Sequence, residues 1–590
     1  MRFRNLKCWS NPTEAEGLVF FAQLLEELLF DYSLDTYKPS AMNSSTLCLE
    51  ARRLIRDIEN ELIDKTNLDH ILKELILNLR KDEIAKSLLT INIDSFVKKF
   101  ENKDTPIQEV AILLNIIHSH INLKVYKERT EQLLLDAVAN PKEKDRIRSL
   151  ARNYITTLIN FGYSTRYLYP SARIFFYWNR RKISGPESLR DFYDLVAGKS
   201  QKYTAIFRVS LLFNEIKDSC KAFDIEVASE LDEGLVSSVQ KKAFVLADQE
   251  TYLVVSNIES MDVFSARDEA ERRIDQISTL SSFFHHKESA EWQPNALIIN
   301  LDTKKERMVM SSPNPMLMCA DSKKQNAAIK LNSFINSFSL KELDSFTRFN
   351  RALELHSLAL RSDSPDNQLL NLWVALETIV PSKLGRTKAK INNIIDSVLP
   401  FLSITYLEAL TTKLTHDFCL WSRPKFHKAI GKIDGDSDRE RLIKLLVLPE
   451  HIKLKNQLFE DLEQFYLLRN RAHYLATILS DPAKLISLFE THAQRVEWQI
   501  RRIYRTRNLI VHAGHTPSYI NVLIKNIHDY LDIVINMIGR LASDGEKINT
   551  VDEAFKYIEI SYFEYLHELK NTKQSISVNN INRLIVNSPI

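Results

Sequence analysis

Apolar residues recur three and four positions apart along most of the chain, and this spacing is typical of amphipathic α-helices. In the first third it predicts four helices, over residues 14–32, 71–89, 107–125 and 145–161. Asn140 and Pro141 break the chain between the third helix and the fourth. We therefore expect a helical N-terminal region over residues 1–199.

The apolar pattern changes near residue 200, where short apolar runs bounded by charged turns favour β-strands. Five segments are predicted as strands, the last four forming two hairpins: 203–213, 243–247, 251–258, 296–301 and 307–311. A charged amphipathic helix is predicted between the hairpins, over 263–284. These elements predict a small α+β module with antiparallel hairpins over residues 200–315.

Helical spacing returns beyond a proline-containing linker at 311–315 and continues almost to the C-terminus. It predicts six longer helices, over residues 340–360, 368–380, 454–479, 484–513, 520–541 and 550–572. Residues 388–449 are predicted as several short helices. The fold class is therefore expected to be mainly α, with a helical domain over 325–575 and a flexible tail over 576–590.

Glycine is scarce, with 11 in 590 residues, which agrees with a chain that has few positive-φ turns. The glycine-rich loops that cradle nucleotide phosphates are missing from the sequence, both Gly-x-x-x-x-Gly-Lys-Ser/Thr and Gly-x-Gly-x-x-Gly. P-loop and dinucleotide-binding functions are thereby excluded, and we expect no cofactor.

The formal net charge is only +3, so contacts with nucleic acid must come from local basic clusters. The five cysteines are scattered and odd in number, without metal-ligand spacing or a secreted disulfide framework. Two glutamates interrupt the apolar run at 18–30. We expect no signal peptide, no membrane span and no metal site, and a cytoplasmic location.

The predicted helix 484–513 is rich in arginine. Its five arginines are Arg495, Arg501, Arg502, Arg505 and Arg507. The apolar stripe of this helix reaches Tyr504 and then meets Arg507, where another apolar residue is expected. A charge entering an apolar face is either paired or functional, and Glu377 is the expected partner. Arg501, Arg502 and Arg505 are expected to bind RNA phosphates.

Arg507 is followed by Asn508 and, after four intervening residues, by His512. An arginine is always charged, and its planar fork suits a phosphate. A neutral imidazole near pH 7 can take or give a proton. Together they are the minimum for cutting a phosphodiester without a metal, since one group stabilises the developing negative charge and the other moves protons.

The stretch Tyr504-x-x-Arg507-Asn508-x-x-x-His512-x-Gly514 resembles the signature of HEPN-superfamily proteins, and its residue pattern is most similar to that of the ApeA-like branch. The stretch 372–377, Leu-Trp-Val-Ala-Leu-Glu, resembles the first helix of the same domains, in which an acidic residue recurs at the place of Glu377. The resemblance covers roughly the last 240 residues.

This resemblance implies a HEPN-type helical bundle in which Arg507, Asn508 and His512 are catalytic and Glu377 and Tyr504 support them. It also implies a homodimer with the two motifs facing across a shared cleft. The implied function is a metal-independent endoribonuclease, a toxin or effector of antiphage defence by abortive infection. RNA would be the substrate, and the N-terminal region would sense a phage-derived trigger.

On a regular helix Arg507 and His512 point about 140° apart, whereas Asn508 and His512 share a face. One continuous helix therefore does not aim the arginine and the histidine at one point. The site must lie where the helix unwinds near Gly514, or be assembled from two copies of the chain.

A second, shortened version of the motif lies in the predicted helix 454–479. Arg469 and His473 are four positions apart and share a face, with three residues between them. This spacing is shorter than that of the family. We interpret Arg469 and His473 as a supporting basic site or a structural pair.

Two alternatives remain open at the level of sequence. The helical domain could be a non-catalytic HEPN member that serves dimerisation or partner binding. The α+β module could be a metal-dependent nuclease, because Asp302-x-Lys304 matches a fragment of such active sites. Asp302 falls in a predicted turn and has no convincing upstream acidic partner, so a charged turn is favoured there.

Overall fold

The computed structural model describes residues 3–30, 42–63, 65–178, 182–232, 234, 236–237, 240, 243–319, 321–382, 390–543, 548–572 and 575–587. It is 68% helical, and its described part contains 24 α-helices and one five-stranded antiparallel sheet. The expected fold class, mainly α with a small α+β module, is confirmed. The chain forms two compact units, one of residues 1–7, 11–153 and 314–590, the other of residues 8–10 and 154–313.

The second unit contains the sheet. Its strands are β1 (Gln201–Ser210), β2 (Ile225–Ala228), β3 (Glu250–Ser260), β4 (Trp292–Asn300) and β5 (Glu306–Met310). The strand order is β2-β3-β1-β4-β5, and every neighbouring pair is antiparallel. β1 is central because both faces of its apolar middle are buried. The predicted hairpin at 296–311 is confirmed as β4 and β5.

The helices of this unit lie around the sheet. Their bounds are α9 (Thr165–Tyr177), α10 (Ser188–Leu195), α11 (Leu212–Glu215), α12 (Lys217–Cys220) and α13 (Val263–Phe284). α13 packs on β1, β3, β4 and β5, where it buries Ala266, Ala270 and Ile274 at the small-residue spacing that lets a helix approach a sheet. Asp262 caps α13 by accepting the backbone N–H groups of Phe264 and Ser265.

The first unit begins with a layer of N-terminal helices. These are α1 (Glu16–Phe30), α2 (Ser44–Glu59), α3 (Thr66–Lys81), α4 (Glu83–Leu88), α5 (Ile93–Glu101), α6 (Ile107–His120), α7 (Leu123–Val138) and α8 (Lys144–Asn160), the last of which runs into the second unit. Asn43 begins α2 with a capping box, and Asp82 caps α4 through two backbone N–H groups. The predicted helix 71–89 is therefore two helices, interrupted by a cap.

The same unit continues with the C-terminal helices. They are α14 (Lys324–Ser337), α15 (Leu343–Arg361), α16 (Pro365–Ile379), α17 (Lys390–Ile404), α18 (Tyr406–Ile430), α19 (Asp438–Val447), α20 (Ile452–Asp461), α21 (Tyr466–Leu479), α22 (Pro482–Ala513), α23 (Ile520–Ser543) and α24 (Val551–Asn571). α15, α16, α17, α22, α23 and α24 share one apolar core. Trp373 of α16 is its largest fully buried side chain.

The division of the chain differs from the domain boundaries expected from sequence. The sequence separates 1–199 from a helical domain at 325–575, whereas the structure groups 11–153 with 314–590. α1 packs on α21 and α3 packs on α22. The N-terminal helices are amphipathic, and the C-terminal helices supply the surface that covers their apolar faces.

Two predicted elements differ from the structure. Residues 243–247 form no strand, and β3 pairs instead with β1 and β2. The predicted helix 454–479 is two helices, α20 and α21, separated at Glu463, which has a left-handed φ of 46°. Apolar periodicity continues through the break at Glu463, so it could not show where one helix ends and the next begins.

The expectation of a flexible tail over 576–590 is wrong for the described residues. A π-helical turn at Asn582–Val586 buries Leu584, Ile585 and Val586. The Tyr565 hydroxyl donates to the Leu584 carbonyl at 2.8 Å, and Arg439 donates to the Val586 carbonyl at 2.6 Å. Burial of these few apolar side chains holds the segment against the protein, although most of its residues are polar. Residues 588–590 lie outside the described residues, as do 31–32 at the end of the first predicted helix.

One described stretch, Lys390–Ile430, is long and apolar enough to cross a membrane. It consists of α17 and α18, and 72% of its apolar window is buried inside the protein. The core helices of globular proteins meet the same criterion of length and composition, and the burial favours that interpretation here.

We expect Leu584→Ala to lower the free energy of unfolding by about 2–5 kcal/mol, because it removes a fully buried side chain from the C-terminal segment. Val578→Ala is the control, since Val578 is 61% exposed and should change stability by less than about 0.5 kcal/mol. Chemical denaturation of both variants provides the measurement. Equal stabilities would mean that the segment does not pack in solution.

Candidate functional site

The candidate motif lies in the last two turns of α22, a helix of 32 residues. Asp481 caps its start by accepting the Ala483 N–H, and Gly514 ends it in the left-handed conformation, with φ at 58°. The Gly514 N–H donates to the Ile510 carbonyl and the His515 N–H to the Leu509 carbonyl. This pairing satisfies carbonyls that a helix end leaves open, and it confirms that Gly514 terminates the helix.

The Arg507 side chain is half-buried and lies beside Asn508. Its Nη1 donates to Asn508 Oδ1 at 3.0 Å. Its Nε is buried and makes no hydrogen bond within the described part of the chain. Among the described residues, no carboxylate pairs with this guanidinium. Arg507 therefore keeps its charge uncompensated by an acidic side chain and retains donors for an incoming anion.

His512 is exposed one turn after Asn508, on the same face of α22. The helix stays regular as far as Ala513, so it does not unwind between Arg507 and His512. Their side chains thus leave the helix in different directions, as expected for a five-residue separation. Of the two arrangements open from sequence, a site within one unwound helix end is contradicted.

The two stretches that carry the family resemblance lie together. α16 packs on α22, and the ring of Trp373 contacts the ring of Tyr504 at 5.6 Å between centroids. Thr516, just beyond the motif, donates to the carboxylate of Asp366 in the first turn of α16. The position of the motif is therefore set by α16 as well as by α22.

The expected pairing of Glu377 with Arg507 is wrong. The Glu377 carboxylate lies 3.3 Å from the Lys390 ammonium at the start of α17. Glu377 is only partly buried, so a flexible lysine from a neighbouring helix can reach it. A supporting role for Glu377 would therefore be exerted on the position of α16 and not on the charge of Arg507.

The structure also contradicts RNA binding by Arg501, Arg502 and Arg505, because all three are buried. Arg502 lies 2.6 Å from Glu74 and 3.4 Å from Glu50, and Arg505 lies 3.0 Å from Glu50. Arg501 donates to Glu497 and to Asn392. These arginines hold helices together, and the carboxylate partners of Arg502 and Arg505 lie more than 400 positions away, beyond the reach of sequence pattern.

The pKa values of the two glutamates in this buried cluster shift in opposite directions. Burial alone would raise the pKa of Glu50, but Arg502 and Arg505 outweigh it and hold that pKa below its usual value. Burial raises the pKa of Glu74, and the Glu50 carboxylate adds to the rise although Arg502 opposes it. The Arg502 guanidinium stabilises the charged form of both carboxylates. The charged form of Glu50 is stabilised more, because Glu50 contacts both arginines.

The shortened motif lies on α21. Arg469 is 3.6 Å from Glu16 of α1 and lies over the ring of Tyr466, 5.0 Å from its centroid. His473 is exposed one turn later. The arginine is thus engaged in helix packing, and of the two interpretations open for this pair the structural one is favoured.

The carboxylate fragment in the α+β module lies in the turn between β4 and β5. Asp302 accepts the backbone N–H of Lys202 at 2.9 Å, and Lys304 has a left-handed φ of 55°. The charged-turn interpretation agrees with this geometry, in which Asp302 pins the start of β1.

A basic cavity of about 210 Å³ in the first unit was not expected from sequence. Five cationic side chains line it: Arg148, Arg152, Lys413, Arg471 and Arg495. Arg471 also pairs with Glu27, at 2.6 Å. The cationic residues come from α8, α18, α21 and α22, and since they span more than 300 positions no local motif could have shown them.

We expect Arg502→Met to lower the free energy of unfolding by about 3–5 kcal/mol, because it leaves Glu50 and Glu74 buried with less counter-charge. Arg351→Met is the control: its exposed ion pair with Glu354 should contribute less than about 1 kcal/mol. Urea unfolding of both proteins is the measurement, and a similar small effect in both would contradict a structural role for Arg502.

Comparison with known proteins adds no further constraint on this site. No protein-family model, no curated protein and no solved structure matches the chain. The chemistry of the site is therefore argued from its residues and their geometry: an arginine without a carboxylate partner, an asparagine hydrogen-bonded to it, and an exposed histidine on the asparagine's face of α22.

Proposed function

We propose that the protein is a metal-independent endoribonuclease of HEPN type, acting as a homodimer through Arg507, Asn508 and His512. The observation that carries the proposal is the state of Arg507. Its neighbours Arg501, Arg502 and Arg505 are paired with acidic side chains, whereas the Arg507 side chain is hydrogen-bonded only to the Asn508 amide among the described residues. A guanidinium held in place without an acidic partner favours binding of a phosphate.

The regular end of α22 favours a site built from two copies of the chain. Arg507 and His512 of one copy diverge, so a second copy is needed to bring a histidine to the phosphate that an arginine holds. Val511 and Val374, on α22 and α16, are exposed apolar residues beside the motif. Apolar side chains on two packed helices are suited to the contact with a second copy.

The reaction proposed in such a cleft is a transesterification within RNA. Arg507 holds the scissile phosphate and stabilises the charge that develops on its oxygens. The His512 of the other copy takes the proton of the 2′-hydroxyl, whose oxygen attacks phosphorus, and the protonated ring then gives a proton to the departing 5′-oxygen as its bond to phosphorus breaks. The product is a cyclic phosphate. Asn508 keeps the guanidinium in position through the bond to its Oδ1.

The proposed role is that of a toxin or effector in antiphage defence, located in the cytoplasm. This part of the proposal rests on the resemblance of 372–377 and 504–514 to ApeA-like HEPN domains. A trigger derived from the phage would act on the N-terminal helices. α2 and α3 are bonded to the motif helix through Glu50 and Glu74, which provides a physical connection from the sensing layer to the site.

We expect Arg507→Ala and His512→Ala each to lower the rate of RNA cleavage by about 100-fold or more, because one removes the phosphate contact and the other the proton transfer. The rates are measured on a labelled single-stranded RNA in EDTA, since the chemistry needs no metal. His515→Ala and Arg540→Ala are matched controls at exposed positions outside the motif and should keep the wild-type rate.

Cleavage that survives both substitutions would contradict the assignment, and so would cleavage that EDTA abolishes in a protein that remains folded. A wild-type chain that binds RNA and dimerises but does not cut it would identify a non-catalytic HEPN member instead.

Mixing the two inactive variants tests whether the site is shared between copies. If Arg507 and His512 act across the dimer, a mixed dimer has one site with both residues intact and one with neither. Random pairing makes about half of the dimers mixed, so we expect about a quarter of the wild-type cleavage rate to return. The measurement is cleavage after co-refolding or co-expression. No recovery in a mixture shown to contain mixed dimers would place each site within one chain.

A further inference from the structure

Two histidines and an aspartate meet between α15 and α23, in the first unit. His356 Nε2 lies 3.2 Å from Asp532 Oδ1, and His528 Nε2 lies 3.5 Å from Asp532 Oδ2. His528 and Asp532 are one turn apart on α23 and so share a face. One ligand atom from each of the three residues falls within 4.8 Å of the other two. Three groups from two helices thus converge on one point.

The hydrogen bonding of this cluster is incomplete. His356 Nε2 is buried and has no hydrogen-bond partner within the described part of the chain, although the Asp532 carboxylate is at a suitable distance. The position of the carboxylate is close enough, but its direction does not suit an N–H donor. A buried ring nitrogen that lies close to a carboxylate without forming a hydrogen bond to it is one that an added cation would satisfy.

We propose that His356, His528 and Asp532 bind a Zn²⁺ ion, with water completing a tetrahedral site. Two ligands about 2.0–2.1 Å from a tetrahedral zinc lie about 3.3 Å from each other. His356 Nε2 lies 3.2 Å from Oδ1 of Asp532 and His528 Nε2 lies 3.5 Å from Oδ2, so each ring is close to this separation from one oxygen of the carboxylate. Two imidazoles and one carboxylate are a ligand set that zinc takes and that Mg²⁺ and Ca²⁺, which prefer oxygen, do not.

The surroundings favour a bound cation. The rings of His356 and His528 lie 4.9 Å apart between centroids, so both imidazoles lie beside the Asp532 carboxylate. The Asp532 side chain is 40% exposed, which leaves an entry path from solvent.

The position in the fold indicates a structural role for the ion. The 3₁₀ turn Pro315–Leu317 contacts both α15 and α23, and the ion would bind α15 to α23 beside it. α23 follows directly after the loop that ends the motif helix. The zinc would therefore stabilise α23, the helix that follows the motif helix α22, without taking part in the cleavage.

The test measures zinc on the full-length chain. After removal of metals with a chelator and dialysis, titration with Zn²⁺ against a chromophoric competitor should show one site per chain. Co²⁺ in its place should give the intense visible bands of a tetrahedral site. His356→Ala and Asp532→Asn should each weaken the site by more than about tenfold and remove the rise in Tm that Zn²⁺ causes in the wild type. Asp532→Asn keeps the shape of the residue, which limits the risk of misfolding.

His567→Ala is the control, since His567 is an exposed histidine on α24 that should leave zinc binding unchanged. A chain that binds no zinc, or one that keeps a full zinc site in both His356→Ala and Asp532→Asn, would overturn the proposal. In the second case the exposed group of Cys419, His427 and Asp438 would hold the ion instead. These outcomes do not depend on RNA cleavage, so they are separable from failure of the proposed function.

Discussion

The buried ion cluster of Glu50, Glu74, Arg502 and Arg505 is the constraint on which the first unit depends. Its members come from helices near opposite ends of the chain, and Arg502 has no exposed surface. Removing charges from water is costly, and the cost is offset only while every partner stays in place. The cluster therefore selects one arrangement of α2 and α3 on α22. Because α22 also carries the motif, the same interaction that joins the two ends of the chain sets the position of Arg507.

Much of the fold could be predicted from the sequence, because most helices have one apolar face. The limits of α8, α13, α16, α22 and α24 agree with prediction to within a few residues. Periodicity did not show where a helix stops when the apolar pattern continues across the break, as at Asp82 and Glu463. A polar segment that contains only a few apolar residues shows no periodicity, which is why the packing of Leu584 was not predicted.

The candidate site was predictable in part. The motif and its helix end at Gly514 follow from local sequence, and the proximity of Trp373 to Tyr504 agrees with two segments of one helical bundle. The partners of Arg502 and Arg505 were not predictable, because they depend on contacts over hundreds of positions. An arginine-rich helix has the same sequence whether its charges face water or buried carboxylates. The structure separates the two groups, and it leaves Arg507 as the arginine of the motif that is without an acidic partner among the described residues.

The burial of Leu584, Ile585 and Val586 has a consequence for how the first unit unfolds. Their segment accepts hydrogen bonds from Arg439 and Tyr565, which lie 147 and 19 positions before the residues they contact. Detachment of the segment would expose three apolar side chains and would leave both donors without these carbonyl partners. Its release is therefore coupled to a loosening of α19 and α24 and is not a purely local event.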